Sequence, residues 1–327
     1  GVTSGKVGAA ENLIMASRLE SEYTRQHQVI DIARHYFEVL LADLRYVRDN
    51  ETMAMHYVRY DRIRERHALQ QVSDVELLQS ENSYQAARTQ RNASETMQRT
   101  SRALLAVAIN RPGELSIDLA RPELETASRE LPELDELVAA AVRNNLEMQS
   151  RRNREAAARL DLDASQKRNR PTLDASFQFS EYSRLTPNRD DARARLNLVI
   201  PLNESGGRRS ETALKRAEWL QASADVMQLE AELRKQVAGL WQQIVQLRIR
   251  QQELAVAASR AELELDRARG EYELEITTHL GNAMVNTSEV RYQQARNEYR
   301  RALAWMQLYL LTGKNPEEIL STCLLYT

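Results

Sequence analysis

From residue 9 to residue 111 the chain contains neither glycine nor proline, the two residues that most strongly punctuate regular structure. A run of that length without either leaves little but helix. A second run follows: from 208 to 312 there is no proline, and glycine stands only at 239, 270 and 281. Ser4-Gly5-Lys6 and Pro112-Gly113 bracket the first run, and Ser205-Gly206-Gly207-Arg208 and Thr312-Gly313 bracket the second. With 28% charged and 42% hydrophobic residues, the composition fits long helices with solvated faces.

The two runs also match inside. Ile32-Ala33-Arg34-His35-Tyr36 answers Val237-Ala238-Gly239-Leu240-Trp241, and Gln79 to Arg88 answers Thr287 to Arg296, with Ser-Glu, Tyr-Gln and Ala-Arg in common. This is an internal duplication. Its first legs carry a seven-residue hydrophobic repeat. One seam is Ile30, Ala33, Phe37, Leu40, Leu44, Val47, Ala54 and Val58, with Glu51 interrupting; the other is Leu233, Val237, Leu240, Ile244, Leu247, Leu254, Ala258, Ala261 and Leu265, with Gln251 interrupting. A sustained 3.5-residue period means coiled-coil packing. An arm of about 107 residues folded once at its middle has legs of about 50 residues, each about 75 Å long at about 1.5 Å per residue, and two antiparallel helical hairpins turning near 69–75 and 276–284 are expected.

Between the arms the pattern changes. Residues 114–133, rich in Pro, Glu and Leu, form a connector, and 134–170 are helical again. After Pro171 the period becomes two: Leu173, Ala175, Phe177 and Phe179 alternate with polar residues, as do Ala192, Ala194, Leu196, Leu198 and Ile200 after Thr186-Pro187-Asn188. Two strands of about ten residues make a hairpin long enough to cross a bilayer. Composition alone fits a soluble sheet equally well. Two strands cannot bury a face by themselves, however, so strands of other chains must complete the sheet, and a closed barrel does so without exposed edges.

Several functions are disfavoured. A formal net charge of -2 supplies no basic field for nucleic acid. Cys323 is the single cysteine, so there is no intrachain disulfide and no cysteine-clustered zinc site. Apolar runs such as Leu137 to Val142 are far too short for a spanning helix. There is no phosphate loop, nucleophile elbow or His-Glu-x-x-His. His27 and His35 lie about two turns apart and His56 and His67 eleven residues apart, without acidic partners at ligand spacing. No cofactor or metal is expected, and no catalytic residue. The leader of a secreted protein is not legible at Gly1-Val2-Thr3-Ser4-Gly5-Lys6.

The order of elements resembles the TolC-like outer membrane efflux family. The echoes are Asn144-Asn145-Leu146 in the helix before the strand, Pro171-Thr172-Leu173, Asn197-Leu198-Val199-Ile200-Pro201-Leu202 followed by Gly206-Gly207-Arg208, and Gln71-Val72-Ser73-Asp74-Val75-Glu76-Leu77-Leu78 at the first fold. The resemblance implies a mainly α protein. Its long coiled-coil hairpins in tandem duplication carry a transmembrane β-hairpin that contributes to an oligomeric barrel. The expected parts are 1–113 (first arm), 114–133 (connector), 134–170 (helix to the barrel), 171–202 (hairpin), 203–313 (second arm) and 314–327 (tail).

It further implies a non-enzymatic duct in the outer membrane of a Gram-negative bacterium, with a long periplasmic part. The duct would be a homotrimer fed by an inner-membrane pump through a periplasmic adaptor, exporting small molecules or proteins. A soluble coiled-coil scaffold is the alternative, with no use for residues 171–202. By resemblance, the periplasmic entrance is marked by Asp74, Glu76, His279 and Asn282, and adaptor contact by Val72, Ser73, Leu77, Thr278 and Leu280. Any of these could equally be an ordinary exposed turn residue. Leu173, Phe177, Phe179, Leu196, Leu198 and Ile200 would face lipid, and Asp174, Gln178, Arg195 and Asn197 the lumen.

The chain departs from the family in three places. Gln70 stands where glycine is common. At the second fold, Gly281 or Met284, depending on register, stands where an acidic residue is frequent. Gly1 to Gly5 reads as the end of a strand, so a further hairpin is expected upstream, since one hairpin from each of three copies supplies too few strands for the family's barrel.

Overall fold

A computed structural model describes residues 2–113, 118–124, 129–167, 171–179, 192–200, 206–274 and 279–320. The elements are α1 (Val2–Ala68), α2 (Asp74–Ala108), α3 (Leu134–Asn144), α4 (Leu146–Lys167), β1 (Thr172–Phe179), β2 (Ala192–Val199), α5 (Gly207–Glu273) and α6 (Leu280–Thr312), followed by a 3₁₀ turn at Pro316–Ile319. Both arms are helical hairpins. The first turns at 69–73; the second arm's descending leg begins at Leu280, so Leu280 to Met284 are helix, and part of that turn lies outside the described residues. Residues 2–5 are also helix, not the strand end expected there.

The chain forms two compact units: 1–23 with 142–233, and 24–141 with 234–327. In the first, α1 lies close on α4. A Cβ on Gly5 would come 3.2 Å from the Cβ of Ala164, so an alanine there would push the two helices apart by a few tenths of an ångström. The Ser150 hydroxyl donates to the Ala16 carbonyl (2.9 Å), and Arg154 pairs with Glu20. The helix expected over 134–170 is broken at Asn145, which is fully buried and whose side-chain oxygen accepts the Met148 N–H (2.9 Å). Asn145 therefore ends one helix and caps the next.

In the second unit α1 packs on two helices. Toward α2 it presents Asp43, Tyr46 and Asp49, bonded to Arg102, Arg91 and Ser94. Toward α6 it presents Phe37, stacked on Tyr299 (centroids 4.6 Å apart), and Arg48, paired with Glu289 (2.8 Å). Burial of the Tyr299 phenol pushes its pKa up to about 12. The seam expected for α5 is buried or half-buried throughout. That expected for α1 is not: Val47, Ala54 and Val58 are exposed, while Asp49 is buried. A single 3.5-residue seam presumes one partner, and α1 has two.

The connector is strapped to these helices by polar contacts, which is why it shows no hydrophobic period. Tyr36 donates to the Ala120 carbonyl (2.5 Å), Trp241 to Pro132 (3.1 Å) and Arg248 to Arg129 (3.2 Å), while Arg121 pairs with Glu298 (2.6 Å).

Candidate functional site

At the first turn, Gln70 adopts φ 59°, the left-handed region where glycine is at home. The departure noted in the sequence therefore falls on the residue that carries the backbone strain. Ser73 (φ −81°, ψ 161°) caps α2, its Oγ accepting the Glu76 N–H at 3.3 Å. Asp74 and Glu76 occupy the first turn of α2, where the helix dipole favours negative charge. His67 Nε2 lies 2.6 Å from Asp74 Oδ1, closing the hairpin. Of the expected contact residues, Ser73 is exposed, whereas Val72 and Leu77 are half-buried. The exposed apolar residues here are Leu69, Val75 and Leu78. Helical phase counted from Ser73 would have placed Val75 and Leu78 outward.

At the second turn His279 precedes α6 without a side-chain capping bond, Leu280 is half-buried and Asn282 exposed. Thr278 lies outside the described residues. A Cβ on Gly281 would sit 3.2 Å from Met55 Cγ, so α6 begins against Met55 of α1. Met55 is 13 residues before the end of α1, about 20 Å of helix at about 1.5 Å per residue. The two turns are therefore not brought together: Asp74 and Glu76 lie well beyond the level of His279 and Asn282.

Further back along α1, on the side of Met55 away from the first turn, lies a buried polar layer that the sequence analysis did not single out. Asp49 accepts hydrogen bonds from Ser94, Gln90 (3.3 Å) and the Arg48 guanidinium (2.6 Å). Arg48 reaches on to Glu289 (2.8 Å) and lies over the Tyr292 ring, and Ser288 donates to Glu51 (2.5 Å). Burial raises the Glu289 pKa, but hydrogen bonds from Gln293 and Arg48 outweigh it and the net shift is downward. His27 and His35 each hold a nearby carboxylate, Asp31 (3.1 Å) and Glu38 (3.2 Å), contrary to the expectation of none. No group of three or more His, Cys, Asp or Glu among the described residues is arranged to hold a metal ion. No helix among them is long and apolar enough to cross a membrane.

β1 and β2 pair antiparallel, with Leu173 opposite Leu198, Ala175 opposite Leu196, and Phe177 opposite Ala194. Asp174, Ser176 and Gln178 face Asn197, Arg195 and Arg193 across the ladder. Side chains alternate across a strand, so this register puts the apolar residues of the hairpin on one face, except Val199, which pairs with Thr172 on the polar face. That face is bare: Phe177 is 74% and Phe179 82% exposed, and Leu173, Leu196, Leu198 and Ile200 are exposed too. The described parts of the strands are eight residues each, and the turn side of the hairpin, 180–191, lies outside the described residues.

No family model matches the chain, and no curated protein matches it in sequence. Among solved structures it is similar to the outer membrane protein VceC of Vibrio cholerae (TM-score 0.73, 16% identity, covering 97% of this chain and 77% of that one). It is also similar to the open state of the MtrE outer membrane channel of Neisseria gonorrhoeae (TM-score 0.73, 15% identity, 97% and 72%). The CmeC outer membrane channel of Campylobacter jejuni aligns with a TM-score of 0.71 at 12% identity, over 96% and 68%. The fold is that of the solved outer membrane channels. The mainly helical duplication with one inserted hairpin, read from spacing and resemblance, is thus borne out as this channel fold.

Proposed function

We propose that the chain is one protomer of an outer-membrane duct, a passive conduit with no catalytic turnover. The observation that carries this reading is the one-sided hairpin set between long helical arms. Two strands with a fully bare apolar face need further strands beside them and an apolar medium against them, and the channel fold supplies a setting for both. Leu173, Phe177, Phe179, Leu196, Leu198 and Ile200 then face lipid, and Asp174, Gln178, Arg195 and Asn197 the lumen. A coiled-coil scaffold would leave that face without a role.

On this reading the copies form a homotrimer in a Gram-negative outer membrane, with the arms in the periplasm. Cargo, small molecules or proteins, is handed over by an inner-membrane pump through an adaptor, as in tripartite efflux or type I secretion. The adaptor docks around the first turn, at Val72, Ser73 and Leu77 with the exposed Leu69, Val75 and Leu78, and also touches Thr278 and Leu280. Symmetry repeats Asp74 and Glu76 as an acidic ring, which favours cations in a narrow pore. His279 and Asn282 form a separate polar level about 20 Å back along α1, at about 1.5 Å per residue.

The test is conductance of the detergent-purified protein in planar bilayers. The native chain should insert and conduct, and Phe177→Arg should impair insertion by roughly 2 to 4 kcal/mol at the midplane. A protein that stays water-soluble and never conducts would overturn the reading.

A further inference from the structure

The polar face of the hairpin carries more charge than keeping water beside it requires. Ser176, Gln178 and Asn197 would hydrate that face without any. Among them stand Arg193, Arg195 and Asp174, all exposed. The register sets Arg193 opposite Gln178, Arg195 opposite Ser176, and Asp174 opposite Asn197, so neither arginine meets a carboxylate across the ladder. Successive levels are two residues apart, about 7 Å at about 3.4 Å per residue. Asp174 is at the end of the ladder that follows α4, Arg195 is in the middle, and Arg193 is toward the turn of the hairpin.

The guanidinium groups also decide which face is wet. An arginine held against lipid near the midplane of a barrel costs about 2 to 4 kcal/mol, and side chains alternate across a strand. With Phe177 and Leu196 in lipid, Arg193 and Arg195 therefore turn to water. Two positive levels against one negative leave a net positive charge on this face of each copy. Symmetry repeats the same sign at the same height, so the excess adds around the lumen, and a wall lined by one sign of charge concentrates the opposite ion.

Resting on the duct reading above, we infer that Arg193 and Arg195 make the barrel lumen a stretch that favours anions, so that the solutes it holds best carry negative charge. The preference is opposite in sign to that of Asp74 and Glu76. The two stretches act in series, and the share of the barrel is read as a difference between variants.

The full chain in planar bilayers, under a gradient of dilute potassium chloride, tests it; at low salt the field of a charged wall reaches furthest. Arg193→Gln with Arg195→Gln should move the permeability ratio by at least about twofold from chloride toward potassium, and Asp174→Asn should move it toward chloride. Arg195→Cys, in a Cys323→Ser background, carries the test where the double variant does not assemble. A cationic methanethiosulfonate reagent should restore the native ratio, and an anionic one should take it further toward potassium. Channels with the same ratio in the native chain and in the arginine variants overturn the inference and leave the duct standing, the arginines then serving only to hydrate the wall. An Arg195→Cys channel that neither reagent alters puts position 195 outside the lumen and overturns the inference too. A native chain that never conducts overturns both the inference and the duct.

Discussion

The two arms are duplicates that bury opposite kinds of residue. In the second, α5 puts Leu233, Val237, Ile244 and Leu254 into the seam, and α6, which meets both α1 and α5, is buried chiefly from Ala295 to Thr312. In the first, α2 contributes Ser80, Ala87, Ser94 and Ser101, and α1 meets them with Asp43 and Asp49. The comparison teaches that one hairpin geometry tolerates either an apolar or a hydrogen-bonded seam, provided every buried charge is answered.

The sharpest way to break the comparison is Asp49→Ala. It removes the acceptor that Ser94, Gln90 and Arg48 share, and should cost about 3 kcal/mol by denaturant unfolding followed by circular dichroism. A loss below about 1 kcal/mol would mean that the polar seam does not hold the first arm together. Ile244→Ala, its apolar counterpart at 1% exposure, should cost roughly 2 to 3 kcal/mol by the same measurement; a larger loss than at Asp49 would make the second arm the stronger.

Acid sharpens it further. The Glu289 pKa lies below its reference value of 4.5, so its contribution is present above that value and fades as pH falls through the lower folded-state pKa. Because the carboxylate is partly exposed, solvent screening keeps this below about 1 kcal/mol. Glu289→Gln should flatten the stability curve below about pH 4.5 and leave the neutral limb parallel to that of the native chain; an unchanged acid limb would remove Glu289 from the joint between arms. The smallest effect is expected at Gln70→Gly. Relief of the left-handed strain, about 1 kcal/mol, is partly offset by the greater freedom of glycine in the unfolded chain, for a net gain near half that. No gain in melting temperature would mean that the turn carries no strain.

The sequence by itself determined the elements. Glycine and proline punctuation placed both arms, alternation placed the hairpin with most of its apolar residues on one face, and the seven-residue period found the α5 seam, because these signals depend on local geometry. It left open which helix meets which. α1 carries one hydrophobic period but two partners, so Asp49 is buried where Val47 and Val58 are not; the partners are residues 90–94 and 289, far away in sequence. Likewise, equal arm lengths did not reveal that α6 begins beside Met55, which separates His279 and Asn282 from Asp74 and Glu76. That level and the buried charges are set by contacts between distant segments, and only the tertiary structure decided them.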